Sequence, residues 1–85
     1  MAGVQGRVAL VTGCGSEGGI GFATARALLA AGARVAITAT TDRIFDRARE
    51  LGAGVFAATA DLTDAAAVAG LFAAVTGALG PVEVL

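Results

Sequence analysis

The chain has 85 residues, 56% of them hydrophobic, with a net charge of −1. Such a length accommodates one small domain at most, and the apolar content exceeds what so small a domain readily buries, which points to a fragment or to one partner of a larger assembly. All the basic residues are arginine, and lysine and histidine are absent, so the chain lacks a basic footprint for nucleic acid, a Walker-type phosphate lysine, a histidine-based triad and a histidine zinc site.

The segment Met1–Arg7 has neither the charged start nor the continuous apolar core of a signal peptide. Val8–Thr12 is a short apolar run of strand character that stops at the glycine cluster Gly13-Cys-Gly-Ser-Glu-Gly-Gly-Ile-Gly21. A helical pattern, Phe22–Ala31, starts directly after it, with Phe22, Ala25, Leu28 and Leu29 on its inner face and Gly32 where a C′ glycine belongs. Strand, glycine turn and helix N-terminus in this order form a site for a phosphate or pyrophosphate. Glycine permits the turn and a close approach to the backbone, and the helix offers N–H groups and the positive end of its dipole. Cys14, the single cysteine, precludes an intrachain disulfide and fits a cytoplasmic protein. It reads as a small buried or loop residue, with a redox-sensing thiol at the mouth of the site as the alternative.

Ala33–Thr38 reads as a second strand, of the kind buried in a parallel sheet. Thr41 or Asp42 caps a charged helix that runs to Leu51, with Ile44, Ala48 and Leu51 on its apolar side. Its charged residues Asp42, Arg43, Asp46, Arg47, Arg49 and Glu50 form a solvated face with i,i+4 pairing. Gly52-Ala-Gly54 turns into a third strand, Val55–Thr59, which ends at Ala60-Asp61-Leu62. Thr63 or Asp64 caps an alanine-rich helix whose Val68, Leu71, Phe72, Val75 and Leu79 share one face. The uncharged stretch from Ala65 to Val82 is therefore a core-facing helix and not a membrane span, and Gly80-Pro81 ends it. Pro81–Leu85 begins a fourth strand. The order β-α-β-α-β-α-β implies an α/β fold, a Rossmann-like doubly wound parallel sheet of which the N-terminal portion is present.

Thr12-Gly13 and Gly19-Ile20-Gly21 resemble the two ends of the cofactor loop of the short-chain dehydrogenase/reductases, Thr-Gly-x-x-x-Gly-x-Gly, with a middle two residues longer. Asp61-Leu62 is similar to the family's Asp-containing element after the third strand, and Gly80–Leu85 to the approach to its fourth strand. The resemblance covers the whole chain with its landmarks in order. It implies a single NAD(P)-binding half-domain over residues 1–85, cut before the catalytic segment, in a cytoplasmic oxidoreductase acting on an alcohol/carbonyl pair. It further implies a homo-oligomer when intact. The cofactor-binding residues it implies are Gly13, Ser16, Gly19, Ile20 and Gly21 for the pyrophosphate and Asp61 and Leu62 at the adenine, while Thr40 and Arg43 are read near the ribose from their own chemistry.

Dinucleotide folds that take NAD place an acid at the end of the second strand. Ala39 stands there, followed by Thr40, Thr41 and Arg43, a set that favours NADP(H) over NAD(H). Arg43 also reads simply as a helix-surface residue. The family's hydride transfer relies on a Tyr and a Lys on one helix, and the chain contains neither, so no catalytic residue is assigned and the 85 residues alone are expected to be inactive. A non-catalytic nucleotide-binding sensor or interaction module, or an inactive truncated product, is the alternative reading.

Overall fold

The computed structural model, which describes residues 5–14, 19–52 and 54–83, alternates strand and helix throughout. The elements are β1 (Val8–Thr12), α1 (Ile20–Ala30), β2 (Arg34–Ala39), α2 (Arg43–Leu51), β3 (Phe56–Thr59) and α3 (Ala65–Leu79). All strands are parallel and lie in the order β1-β2-β3, with Leu10 opposite Ala36 and Ala36 opposite Phe56. β2 is the middle strand, and Val35, Ala36, Ile37 and Thr38 are fully buried. That explains its unbroken apolar run, since a strand covered on both faces has no polar side to alternate with.

Successive side chains of each strand enter opposite layers. Ala9, Val35 and Ile37 pack with Ala25 and Leu28 of α1 and Ile44 of α2. Val8, Leu10 and Ala36 pack with Leu71 and Val75 of α3. Two helices thus cover one face and α3 covers the other. Crossovers between parallel strands are right-handed in nearly all proteins, so the change of face sends the chain after α3 back to the free edge of β1. There the Glu83 N–H donates to the Val8 carbonyl at 2.9 Å. This is the start of the expected fourth strand, but Pro81–Glu83 is not itself strand. Pro81 has no N–H to give to a ladder, and Val84 and Leu85 lie outside the described residues.

Local chemistry sets the element ends. Gly32 adopts φ +91, its N–H bonds to the Leu29 carbonyl and the Ala33 N–H to the Leu28 carbonyl, each at 3.0 Å. This is a Schellman motif that closes α1 with Gly32 at C′ as the sequence predicts. Asp64 caps α3, its Oδ1 accepting from the N–H groups of Ala66 at 2.9 Å and Ala67 at 3.4 Å. At α2 the expected side-chain cap is absent. Asp42 is already in helical conformation (φ −65, ψ −11) and makes no capping bond. The Ile44 and Phe45 N–H groups are taken by the backbone carbonyls of Thr41 and Asp42, a tight turn that leaves a cap little to satisfy. The ion pairs on this helix are i,i+3, Arg47 with Glu50 at 2.8 Å and Arg49 with Asp46, and Arg47 is half-buried and not on a fully solvated face. Among the described residues no helix is long and apolar enough to cross a membrane.

Candidate functional site

Parallel strands that all deliver the chain to the same side of the sheet create one rim, and the site is built from their carboxyl ends. β1 leads into Gly13 at φ +71, a left-handed conformation that turns the chain away from the strand. β2 leads into Thr40 and Thr41, and β3 into Ala60 and Asp61. Backbone bonds tie these exits together. The Cys14 N–H donates to the Thr38 carbonyl at 3.4 Å and the Ala60 N–H to the Ala39 carbonyl at 3.1 Å. Between them lies a cavity of about 420 Å³ whose walls include Gly13, Thr40, Arg43, Asp61 and Leu62. Those five were all predicted from sequence as binding residues.

Ile20 and Gly21 line a second, separate hollow of about 550 Å³ between α1 and Leu10, Val11 and Thr12 of β1. There α1 presses on the end of β1. A Cβ on Gly21 would stand 2.7 Å from the Gly13 carbonyl oxygen and 2.8 Å from that of Thr12. Gly21 is therefore a packing glycine that brings the helix start up to the strand end. Gly19 is the N-cap of α1, extended and without a side chain to cap it, and the first turn carries no acid. The N-terminal N–H groups of α1, which a helix leaves without intrahelical partners, thus face no competing carboxylate of their own turn. Ile20, in that turn, is 88% exposed. Ser16 lies outside the described residues.

Asp61 is held by its own turn. Its Oδ1 accepts from the Thr63 hydroxyl at 2.6 Å and from the Thr63 N–H at 2.9 Å. The hydroxyl first and the amide second hold the Asp61 carboxyl below the usual carboxylate range. Capping of α3 falls to Asp64, so Asp61 is left at the cavity as the sequence predicts, with one oxygen engaged. Cys14 is fully buried, its Sγ set against the carbonyls of Val11 and Thr12 at 3.7 and 3.9 Å. Burial pushes the thiol up to about 11, which keeps it protonated and opposes the redox-sensing alternative, because the reactive species is the thiolate.

Two threonines at the cavity were not singled out from sequence. Thr38 is buried, and its hydroxyl donates across the sheet to the Ala58 carbonyl at 2.8 Å, satisfying the one polar side chain placed among apolar ones on β2. From sequence Thr63 reads only as a possible cap. The signal for it was its place two residues after an aspartate, the spacing of a side-chain turn.

The family profile described as short chain dehydrogenase matches residues 7–85. The chain belongs to the short-chain dehydrogenase family. This short-chain dehydrogenase sequence is 44% identical over 96% of its length to 1-deoxy-11-beta-hydroxypentalenate dehydrogenase of Streptomyces avermitilis, spanning 31% of that protein. Among solved structures, a metagenomic short-chain oxidoreductase in complex with NADP superposes with a TM-score of 0.83 at 36% identity, over 96% of this chain and 38% of that one. The 3-ketoacyl-(acyl-carrier-protein) reductase of Brucella melitensis, complexed with NADH, gives 0.86 at 32% identity, over 94% of this chain and 32% of that one. The chain therefore spans about a third of the length of these relatives. Members of the family are NAD(P)-dependent oxidoreductases, and the described strands and helices are the N-terminal portion of their Rossmann-like fold.

Proposed function

We propose that these residues hold the nicotinamide dinucleotide of an oxidoreductase acting on an alcohol/carbonyl pair, and that NADP(H) is preferred to NAD(H). The observation that carries the reading is the convergence of Gly13, Thr40, Arg43, Asp61 and Leu62, from three separate strand ends, on one cavity. The residues fit a dinucleotide in chemistry as well as place. Gly13 has nothing within 4 Å of a would-be Cβ, so the turn leaves open space above the backbone. Gly13, Gly19, Ile20 and Gly21 are assigned to the pyrophosphate through the glycine backbone and the N-terminus of α1, and Ser16 is assigned to it from the sequence alone. Asp61 and Leu62 are assigned to the adenine, and Thr40 and Arg43 to the 2′ position of its ribose.

Cofactor preference rests on charge. The end of β2 carries Ala39 where an acid would hold the ribose hydroxyls of NAD and repel a 2′-phosphate. Arg43 lines the same cavity, and a guanidinium suits a phosphate. The solved relatives carry NADP in one case and NADH in another, so the preference is drawn from this chain's own residues.

When bound, the cofactor supplies or accepts the hydride. The 85 residues contain no tyrosine, lysine or histidine; they position the dinucleotide and carry no proton donor suited to a carbonyl. We assign the intact protein to the cytoplasm, where the Cys14 thiol stays reduced, and to a homo-oligomer. Calorimetric titration of the purified, folded protein with NADPH and separately with NADH tests the proposal. Saturable binding, tighter for NADPH and weakened by Gly19→Asp, is expected. A folded protein that binds neither refutes the site, and tighter binding of NADH refutes the cofactor preference.

A further inference from the structure

The geometry points to Thr63 as a positioning residue that aims the Asp61 carboxylate and thereby sets the choice between a 6-amino and a 6-oxo purine in the bound dinucleotide. This deepens the reading above and rests on Asp61 lying at the base. The aspartate is exposed at the cavity edge, and an exposed carboxylate ordinarily rotates among several orientations. Here a backbone bond at 2.9 Å and a hydroxyl bond at 2.6 Å reach the same oxygen, Oδ1, from the same residue. The amide alone closes one ring. The hydroxyl closes a second, and its length is that of a charge-assisted bond between a hydroxyl and an ionised oxygen.

With Oδ1 engaged twice, Oδ2 is left as the acceptor for a ligand. An ionised carboxylate accepts hydrogen bonds and donates none. It therefore pairs with the 6-amino group of adenine and repels the 6-oxo group of hypoxanthine, which is itself an acceptor. Thr63 and Asp61 both line the cavity, so the device that fixes the carboxylate belongs to the site wall. Capping of α3 is done by a different carboxylate, Asp64. The low carboxyl pKa of Asp61 agrees, since the Thr63 hydroxyl is its first cause.

The test compares NADPH with its hypoxanthine analogue by calorimetric titration of the purified protein and of Thr63→Val, Thr63→Ser and Asp61→Asn. The wild type is expected to prefer the adenine form by roughly tenfold or more, the worth of a hydrogen bond to a charged group. Asp61→Asn removes the preference, because an amide also donates. Thr63→Val lowers it several-fold while the Thr63→Ser hydroxyl restores it. A Thr63→Val protein that keeps the full preference while Asp61→Asn loses it overturns the role of Thr63 and leaves Asp61 at the base. A full preference in Asp61→Asn overturns the placement of Asp61, and the role of Thr63 with it. Equal losses in the Val and Ser variants overturn the positioning role in favour of a merely structural one.

Discussion

Replacing Gly21 by alanine tests how the site is assembled. The added Cβ would meet two backbone carbonyl oxygens at 2.7 and 2.8 Å and the Gly13 carbonyl carbon at 3.0 Å. Backbone cannot swing aside as a long side chain can, so α1 must retreat from the end of β1 by several tenths of an ångström. Overpacking of this kind costs about 1–3 kcal/mol. Against it stands the helix preference of alanine over glycine, about 1 kcal/mol in the opposite direction. The net expectation is a destabilisation of up to about 2 kcal/mol, or a fall in Tm of several degrees for a domain of this size. Gly70 and Gly77 on α3 supply the control. Both are exposed, and a Cβ there would meet nothing within 4 Å. Gly70→Ala should therefore raise stability by about 0.5–1 kcal/mol. Urea denaturation of the three proteins measures the contrast, and titration with NADPH shows whether the displaced helix start also weakens binding. If Gly21→Ala is as stable as Gly70→Ala, the close approach of α1 to β1 is wrong, and so is the packing role of Gly21.

Asp64→Ala should lower stability by about 1 kcal/mol through loss of the α3 cap, whereas Asp42→Ala, which removes no capping bond, should leave the denaturation midpoint unchanged. Arg43→Ala is expected to weaken NADPH about tenfold and NADH hardly at all, and Ala39→Asp to reverse the order of the two cofactors, both read by calorimetry. The Cys14 thiol, pushed up to about 11, should resist a thiol-specific reagent at neutral pH and react only on unfolding. Because its folded pKa is raised, its contribution to stability is complete below the ordinary thiol pKa of about 8.5 and is lost as pH rises through about 11. Denaturation midpoints of wild type and Cys14→Ala between these pH values should converge. For Asp61, whose pKa is lowered, the sign is opposite: its contribution is present above the ordinary carboxylate pKa and fades as pH falls through the folded value. Carboxyl titration by NMR should show it moving up in Thr63→Val.

Much of this fold is legible in the sequence because the relevant signals are local and periodic. The apolar run of β2 follows from burial on both faces, and the Gly32 and Asp64 ends of helices follow from backbone chemistry that neighbours cannot easily override. The grouping of residues at the candidate site was legible for a different reason. In a parallel sheet every strand exits on the same side, so residues just after β1, β2 and β3 must meet, whatever lies between them. What the sequence left open depended on relations between elements. From sequence Gly21 belongs only to the pyrophosphate loop, and the approach of α1 to the Thr12 and Gly13 carbonyls gives it a packing role as well. Asp42 had the right side chain for a cap, but the turn from Thr41 satisfies the same N–H groups with backbone. Thr38 is a polar residue in an apolar strand, and its acceptor, the Ala58 carbonyl, lies on a strand formed later in the chain.

The bond from the Glu83 amide to the Val8 carbonyl joins the two ends of the described residues across the free edge of β1, with Arg7 and Glu83 side chains 3.9 Å apart beside it. A single exchangeable proton therefore reports on the seating of α3 over the sheet. Protection of that amide requires the crossover to be complete, whereas protection of the amides within α1 and β2 does not. Its exchange rate in deuterated solvent is a direct gauge of whether the second layer opens by itself or only when the whole domain unfolds.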